Sequence, residues 1–157
     1  LGALKVEVAA RKLQALNPYT TIVPYAQRLT SENTFIIAEY DLVIDATDNL
    51  PSRYLIDEAC VRYGKPFVYG SICEFKGQVS VFNYQGGPTY RDLYEYHDAI
   101  AEFQQPQGVI GALPGVVGSI QANEAIKLIL GSQDTLSGKL LLIDLLKGSF
   151  QTMNFIN

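Results

Sequence analysis

The spacing of hydrophobic and polar positions changes several times along the chain, and each change marks an element. Between residues 5 and 16, Val6, Ala9, Ala10, Leu13 and Leu16 recur at helical spacing and Asn17-Pro18 stops the run, which predicts an opening amphipathic helix. Residues 20–25 are β-branched and aromatic, and Pro24 restricts them to an edge strand. Thr30, Ser31 and Asn33 offer capping oxygens for a short helix running to residue 38. Leu42, Val43 and Ile44 then form an apolar run between polar neighbours, as in a buried strand of a parallel sheet. A polar loop over 45–49 leads into Pro51, a residue favoured in the first turn of a helix, and Gly64 is placed to close a helix over 51–63.

Residues 66–70 read as a second short buried strand, and 77–84 alternate until Gly86-Gly87-Pro88 stops them. A tight connection through 74–76 makes an antiparallel pair of these two, and hence a mixed sheet. Residues 88–107 carry Tyr90, Tyr94, Tyr96, His97 and Phe103 without a period, and a loop this long is either functional or disordered. Residues 114–130 are apolar almost all round, with Gly115, Gly118, Ser119 and Ala122 in the first half; a buried helix allowing close backbone approach is expected. Strands over 139–145 and 150–155, around a Lys147-Gly148 turn, complete an α/β pattern.

The stretch from Asp41 to Arg53 is where chemistry is expected, because ligands bind outside the carboxyl ends of strands in open α/β sheets. Asp45 and Asp48 lie on that loop. Asp48 suits a Mg²⁺ held through one carboxylate while phosphates and water fill its other positions; alternatively, Thr47, Asp48 or Asn49 only caps the helix. Lys5 stands at a helix start, where a cation makes sense if it shares a phosphate with the helix terminus, and is otherwise a solvated lysine. Arg53 either reaches back to a phosphate or is an ordinary surface arginine. His97 stands alone, Cys60 suits a small buried helix position, and Cys73 has Lys76 nearby. No cysteine or histidine pair has zinc-ligand spacing, and no Gly-x-Gly-x-x-Gly follows a strand.

Composition narrows the classes. The chain has 157 residues, about one domain's length, with a net charge of −4 and only 18% charged residues, against roughly 25% in an average soluble domain. Nothing in this charge pattern suits nucleic acid or an anionic membrane. A surface so poor in charge is expected to be covered in part, by a second copy or by a missing segment. With two cysteines and no signal peptide or long apolar span, a cytoplasmic protein is expected. The chain starts at Leu1 and its only methionine is Met153, so a fragment is expected.

Several stretches together resemble the ThiF/MoeB/HesA family, which activates ubiquitin-like proteins. They are Lys5-Val6-Glu7 running into Leu16-Asn17-Pro18, residues 40–49 with Arg53, Gly64-Lys65-Pro66, residues 77–82, and Gly108-Val109 through residues 118–122 to Glu124-Ala125-Ile126-Lys127. Their order and spacing span nearly the whole chain. The resemblance implies a Rossmann-like three-layer fold with a mixed parallel/antiparallel sheet. It implies adenylation, with Mg-ATP, of the carboxyl-terminal glycine of a ubiquitin-like sulfur carrier (ThiS/MoaD-like), in thiamine or molybdopterin biosynthesis, by a homodimer. Lys5 matches the lysine that touches ATP phosphate, Asp48 the catalytic, metal-handling aspartate, and Asn49 sits beside it in the nucleotide site.

The departures shape the expectation equally. The family's glycine-rich loop, ribose-binding acid and a phosphate-contacting arginine all precede the point matching Leu1, so the nucleotide-binding βαβ half is expected to be missing and residues 1–157 to form a single, amino-terminally truncated domain. This chain alone is then expected to be inactive. Thr89-Tyr90-Arg91-Asp92 stands where many members have their first Cys-x-x-Cys pair, and the chain stops before a second, so no zinc is expected. Gln104 stands where many members carry a cysteine, which excludes thioester or persulfide chemistry there. The rival expectations are a non-catalytic module that binds a ubiquitin-fold protein or dimerises and, more remotely, a dehydrogenase-type nucleotide domain.

Overall fold

The computed structural model describes residues 2–95 and 108–156, and the chain divides into two compact units, Leu1–Thr30 and Ser31–Asn157. The first unit is built on α1 (Lys5–Leu16), with the predicted limits. Leu4 precedes it and gives no side-chain cap; at its end Asn17 Oδ1 accepts a hydrogen bond from the Tyr19 amide at 3.0 Å. No α1 residue is buried. The strand expected over 20–25 is not formed. Strand propensity reflects packing on a pleated, half-buried surface, and these side chains are mostly exposed, with Pro24 removing a ladder donor.

The second unit is a five-stranded sheet in the order β1 (Val43–Ile44), β2 (Phe67–Cys73), β3 (Lys76–Phe82), β4 (Lys139–Asp144) and β5 (Ser149–Asn154). β1 runs parallel to β2, and every later pair is antiparallel, so the sheet is mixed as expected. The parallel pair is connected through α2 (Leu50–Tyr63), whose end is set by Gly64 at φ +64°, the left-handed cap anticipated for it. The short helix expected to reach residue 38 is instead a 3₁₀ turn over Thr34–Glu39, and Asn33 before it makes no capping hydrogen bond.

Alternation along β2 and β3 sends two chemically different sets of side chains to the two faces. Val68 pairs with Val81, and both pack with Ala125 and Leu128 of α4 (Ala112–Ile129). Phe67 pairs with Phe82 on the other face, where Tyr90 of the short α3 (Tyr90–Leu93) is the hub of an aromatic cluster. Its ring centroid lies 5.2 Å from Tyr54 of α2, 5.3 Å from Tyr69 and 5.6 Å from Phe82; such pairs contribute about 0.5–1.5 kcal/mol each beyond their burial. Helices on both faces make three layers.

Buried Asp57 fastens α3 to α2 by accepting the Tyr90 amide at 2.8 Å, and burial raises its pKa despite that bond and the nearby Arg91. At the start of α3, the Asp92 carboxylate accepts from the Thr89 amide at 2.7 Å and the Thr89 hydroxyl at 2.9 Å, a capping box.

The expectation for the long apolar helix needs correcting. Only one side of α4 is buried; Ile126 and Ile129 on the other are 55% and 72% exposed, and Leu130, just past its end, is 77% exposed. A Cβ added at Gly115 or Gly118 would meet nothing within 4 Å. The close approaches come from strand glycines instead: a Cβ at Gly77 would lie 2.6 Å from Val117, and one at Gly70 would run into Gln121. Among the described residues, no helix is long and apolar enough to cross a membrane.

Candidate functional site

The loop between β1 and α2 is held from inside by Asp45. This side chain is almost wholly buried, and one of its oxygens is well satisfied: Oδ1 accepts from the Thr47 amide at 2.8 Å and from the Thr47 hydroxyl at 2.6 Å. Its other oxygen faces Arg53 Nε at 3.3 Å, an ion pair without the alignment of a hydrogen bond. Burial raises the Asp45 pKa, opposed by the Thr47 bonds and by the Arg53 charge. Arg53 is therefore neither a surface arginine nor a group aimed at phosphate. It is buried, donates from Nη2 to the Thr47 carbonyl at 3.0 Å, and lies over the Tyr69 ring at 5.4 Å. An arginine pairs here with a carboxylate, a carbonyl and a ring face simultaneously, which its planar guanidinium permits and a lysine does not.

The backbone of Asp45 is fixed as well. Its amide donates to the Val68 carbonyl at 2.9 Å, and its own carbonyl accepts from the Gln121 side chain at 2.7 Å. β2, α2 and α4 thus all hold one residue.

The two candidate residues on the loop are brought together. Asn49 caps α2, its Oδ1 accepting from the Ser52 amide at 3.0 Å, and donates from Nδ2 to Asp48 Oδ1 at 3.2 Å. The capping alternative therefore holds for Asn49. Asp48 itself is exposed at the carboxyl end of β1. A carboxylate has two oxygens and about four lone-pair positions, and the Asn49 bond is made to one of them, Oδ1. Among the described residues no three His, Cys, Asp or Glu side chains gather as a metal cage. An exposed carboxylate of this kind could serve an ion that takes one protein ligand and fills its other positions with phosphate and water. Lys5 lies in the first unit, exposed, as the first residue of α1.

Of the secondary candidates, Cys60 is fully buried and its thiol is pushed up to about 12, chiefly by burial, with Asp57 adding to it. Cys73 is exposed at the end of β2. His97 and Gln104 lie outside the described residues. Sequence reasoning missed the inward role of Asp45 and Arg53. The available signal was their spacing: a carboxylate ending a strand and an arginine eight positions on, one turn into the following helix, meet across the loop.

This is an α/β domain with its candidate site at the carboxyl end of a parallel strand, and the fold has known counterparts. Over 99% of this chain and 49% of the other, the structure superposes on Escherichia coli MccB solved with succinimide, with a TM-score of 0.84 at 15% identity, a likeness of Rossmann-like fold alone. The chain belongs to the ThiF family, whose model matches residues 1–157. It is 44% identical to a probable molybdopterin-synthase adenylyltransferase of Pyropia yezoensis, over 100% of this chain and 43% of that protein. It is 46% identical to the sulfur carrier protein adenylyltransferase of Thermus thermophilus, over 98% of this chain and 59% of that protein. The chain thus spans about half the length of these relatives.

Proposed function

We propose that the protein to which this chain belongs adenylates the carboxyl-terminal glycine of a ubiquitin-like sulfur carrier, with Mg-ATP. The carrier's terminal carboxylate attacks the α-phosphorus of ATP, the bond to the β-phosphate oxygen breaks, and an acyl-adenylate and pyrophosphate result. The observation that carries this proposal is Asp48: an exposed carboxylate on a loop otherwise immobilised by the buried Asp45, Thr47 and Arg53 network. Immobilising the mount of a charged group reduces the reorganisation required as charge develops in the transition state.

Asp48 is the residue that would hold Mg²⁺, with Asn49 orienting one of its oxygens, and Lys5 the one that would contact phosphate. When bound, the ion supplies positive charge to the phosphates. The names of the relatives support a sulfur carrier as partner and molybdopterin synthesis as the setting; thiamine synthesis is the alternative that the family resemblance implies. The open apolar side of α4 and the low share of charged residues support assembly as a homodimer, and two free cysteines suit a reducing compartment such as the cytoplasm.

The test is ATP–pyrophosphate exchange by the full-length protein. Asp48→Ala is expected to lower the exchange rate about a hundred- to a thousandfold, as losses of one such contact do. Exchange at the wild-type rate would refute the role assigned to Asp48.

A further inference from the structure

Gln121 is a polar residue where packing alone favours an apolar one. It lies on the buried side of α4, 6% exposed, in line with Val117, Ala125 and Leu128. Burying an amide costs free energy unless its hydrogen bonds are made. Here Nε2 finds two acceptors, the Asp45 carbonyl at 2.7 Å and the Val68 carbonyl at 3.3 Å. A second residue is adapted to the same contact. A Cβ at position 70 would sit 2.4 to 2.6 Å from the Gln121 amide atoms, so only glycine lets the amide lie against β2. A buried amide and a strand glycine, each unfavourable by itself, are thus combined to supply one donor to the point where β1 ends.

That point is the root of the loop carrying Asp48. The β1–β2 ladder extends through the Asp45 amide to the Val68 carbonyl, and the chain then turns away. The Asp45 carbonyl takes its donor from α4. Three positions later comes Asp48, and the path between runs through the Asp45 carboxylate and its two bonds to Thr47.

We infer that Gln121 is a positioning residue for the reaction, setting the place of Asp48 by fixing the exit of the chain from β1 while touching neither nucleotide nor metal itself. The inference rests on the adenylation proposed above. A misplacement near 1 Å at a reacting centre costs about a hundredfold in rate, so the effect belongs in turnover rather than in ground-state binding.

The experiment compares ATP–pyrophosphate exchange by the full-length wild type and four variants: Gln121→Leu, which keeps volume and removes the donor; Gly70→Ala, which leaves Gln121 intact but displaces its amide; Asp48→Ala; and the Asp48→Ala/Gln121→Leu double. Both Gln121→Leu and Gly70→Ala are expected to lower kcat about 10- to 100-fold, per folded molecule by cooperative melting, with KM for ATP and for the carrier within about twofold. The double variant is expected to be no slower than Asp48→Ala alone, because the effect passes through Asp48. A wild-type kcat in either Gln121→Leu or Gly70→Ala, or a double variant whose losses multiply, overturns the inference while adenylation stands. Lack of exchange by the wild type overturns adenylation and the inference together.

Discussion

Arg53 can be removed while nearly all its packing volume is kept, by Arg53→Met. The variant leaves Asp45, about 1% exposed, without its ion-pair partner and deprives the Thr47 carbonyl of its 3.0 Å donor. Breaking a buried pair from one side costs about 3–5 kcal/mol, because the remaining charge stays out of water. Asp45 has a partial escape, since its pKa is already raised by burial and rises further once the opposing Arg53 charge is gone. The sign follows from that shift: the folded state then binds a proton that the unfolded state has released, so stability falls as pH rises from the ordinary carboxylate value through the raised one. The penalty of Arg53→Met is therefore expected to be largest at neutral and alkaline pH and to shrink on acidification. Urea unfolding at several pH values measures it. The double variant Asp45→Asn/Arg53→Met removes the stranded charge while keeping an oxygen for Thr47, and is expected to be more stable than the single by at least about 1 kcal/mol, the coupling expected of residues in contact. A loss below about 1 kcal/mol in the single variant, or strict additivity in the double, would show that the pair does not organise the loop.

Two further outcomes follow from buried groups away from the loop. Asp57 also has a pKa raised by burial, so its folded form again holds the proton more tightly than its unfolded form; the melting temperature of the wild type relative to Asp57→Asn is expected to decline as pH rises above the ordinary carboxylate value, and a relative rise would refute the raised pKa. Cys60, buried with its thiol pushed up to about 12, is expected to resist iodoacetamide at neutral pH in the folded protein and to react in urea, with mass spectrometry as the readout; prompt labelling without denaturant would contradict its burial.

What was legible in the sequence followed from period and punctuation. Gly64, Pro51 and the alternation of residues 77–84 are local signals, and α2 and the β2–β3 pair appear within a few residues of their expected limits. The segment 20–25 shows where such signals fail: its side chains have the right shapes for a strand, but a strand exists only with a partner, which no local pattern contains. α4 shows a second failure. An apolar composition all round cannot say which side meets the sheet, and the small residues that matter for close packing, Gly70 and Gly77, stand in strands that looked unremarkable. At the site, the place of Asp48 and Asn49 on a loop between a strand and a helix was legible, because the loop follows an apolar run and precedes a proline. The inward turn of Asp45 and Arg53 was not, because a carboxylate facing water and one facing a buried guanidinium are spelled the same way.

The loop over residues 45–49 has an alternating design with a consequence for how such a site changes over generations. Asp45, Thr47 and Asn49 carry the internal bonds, whereas Ala46 and Asp48, between them, are exposed. The residues with most of the bonds that hold the loop and the residue proposed to face the ligand are therefore different ones. A change at the exposed positions 46 and 48 disturbs fewer of the bonds that shape the loop than a change at 45, 47 or 49, so a loop of this design is expected to accept a new ligand-facing side chain more readily than a new frame.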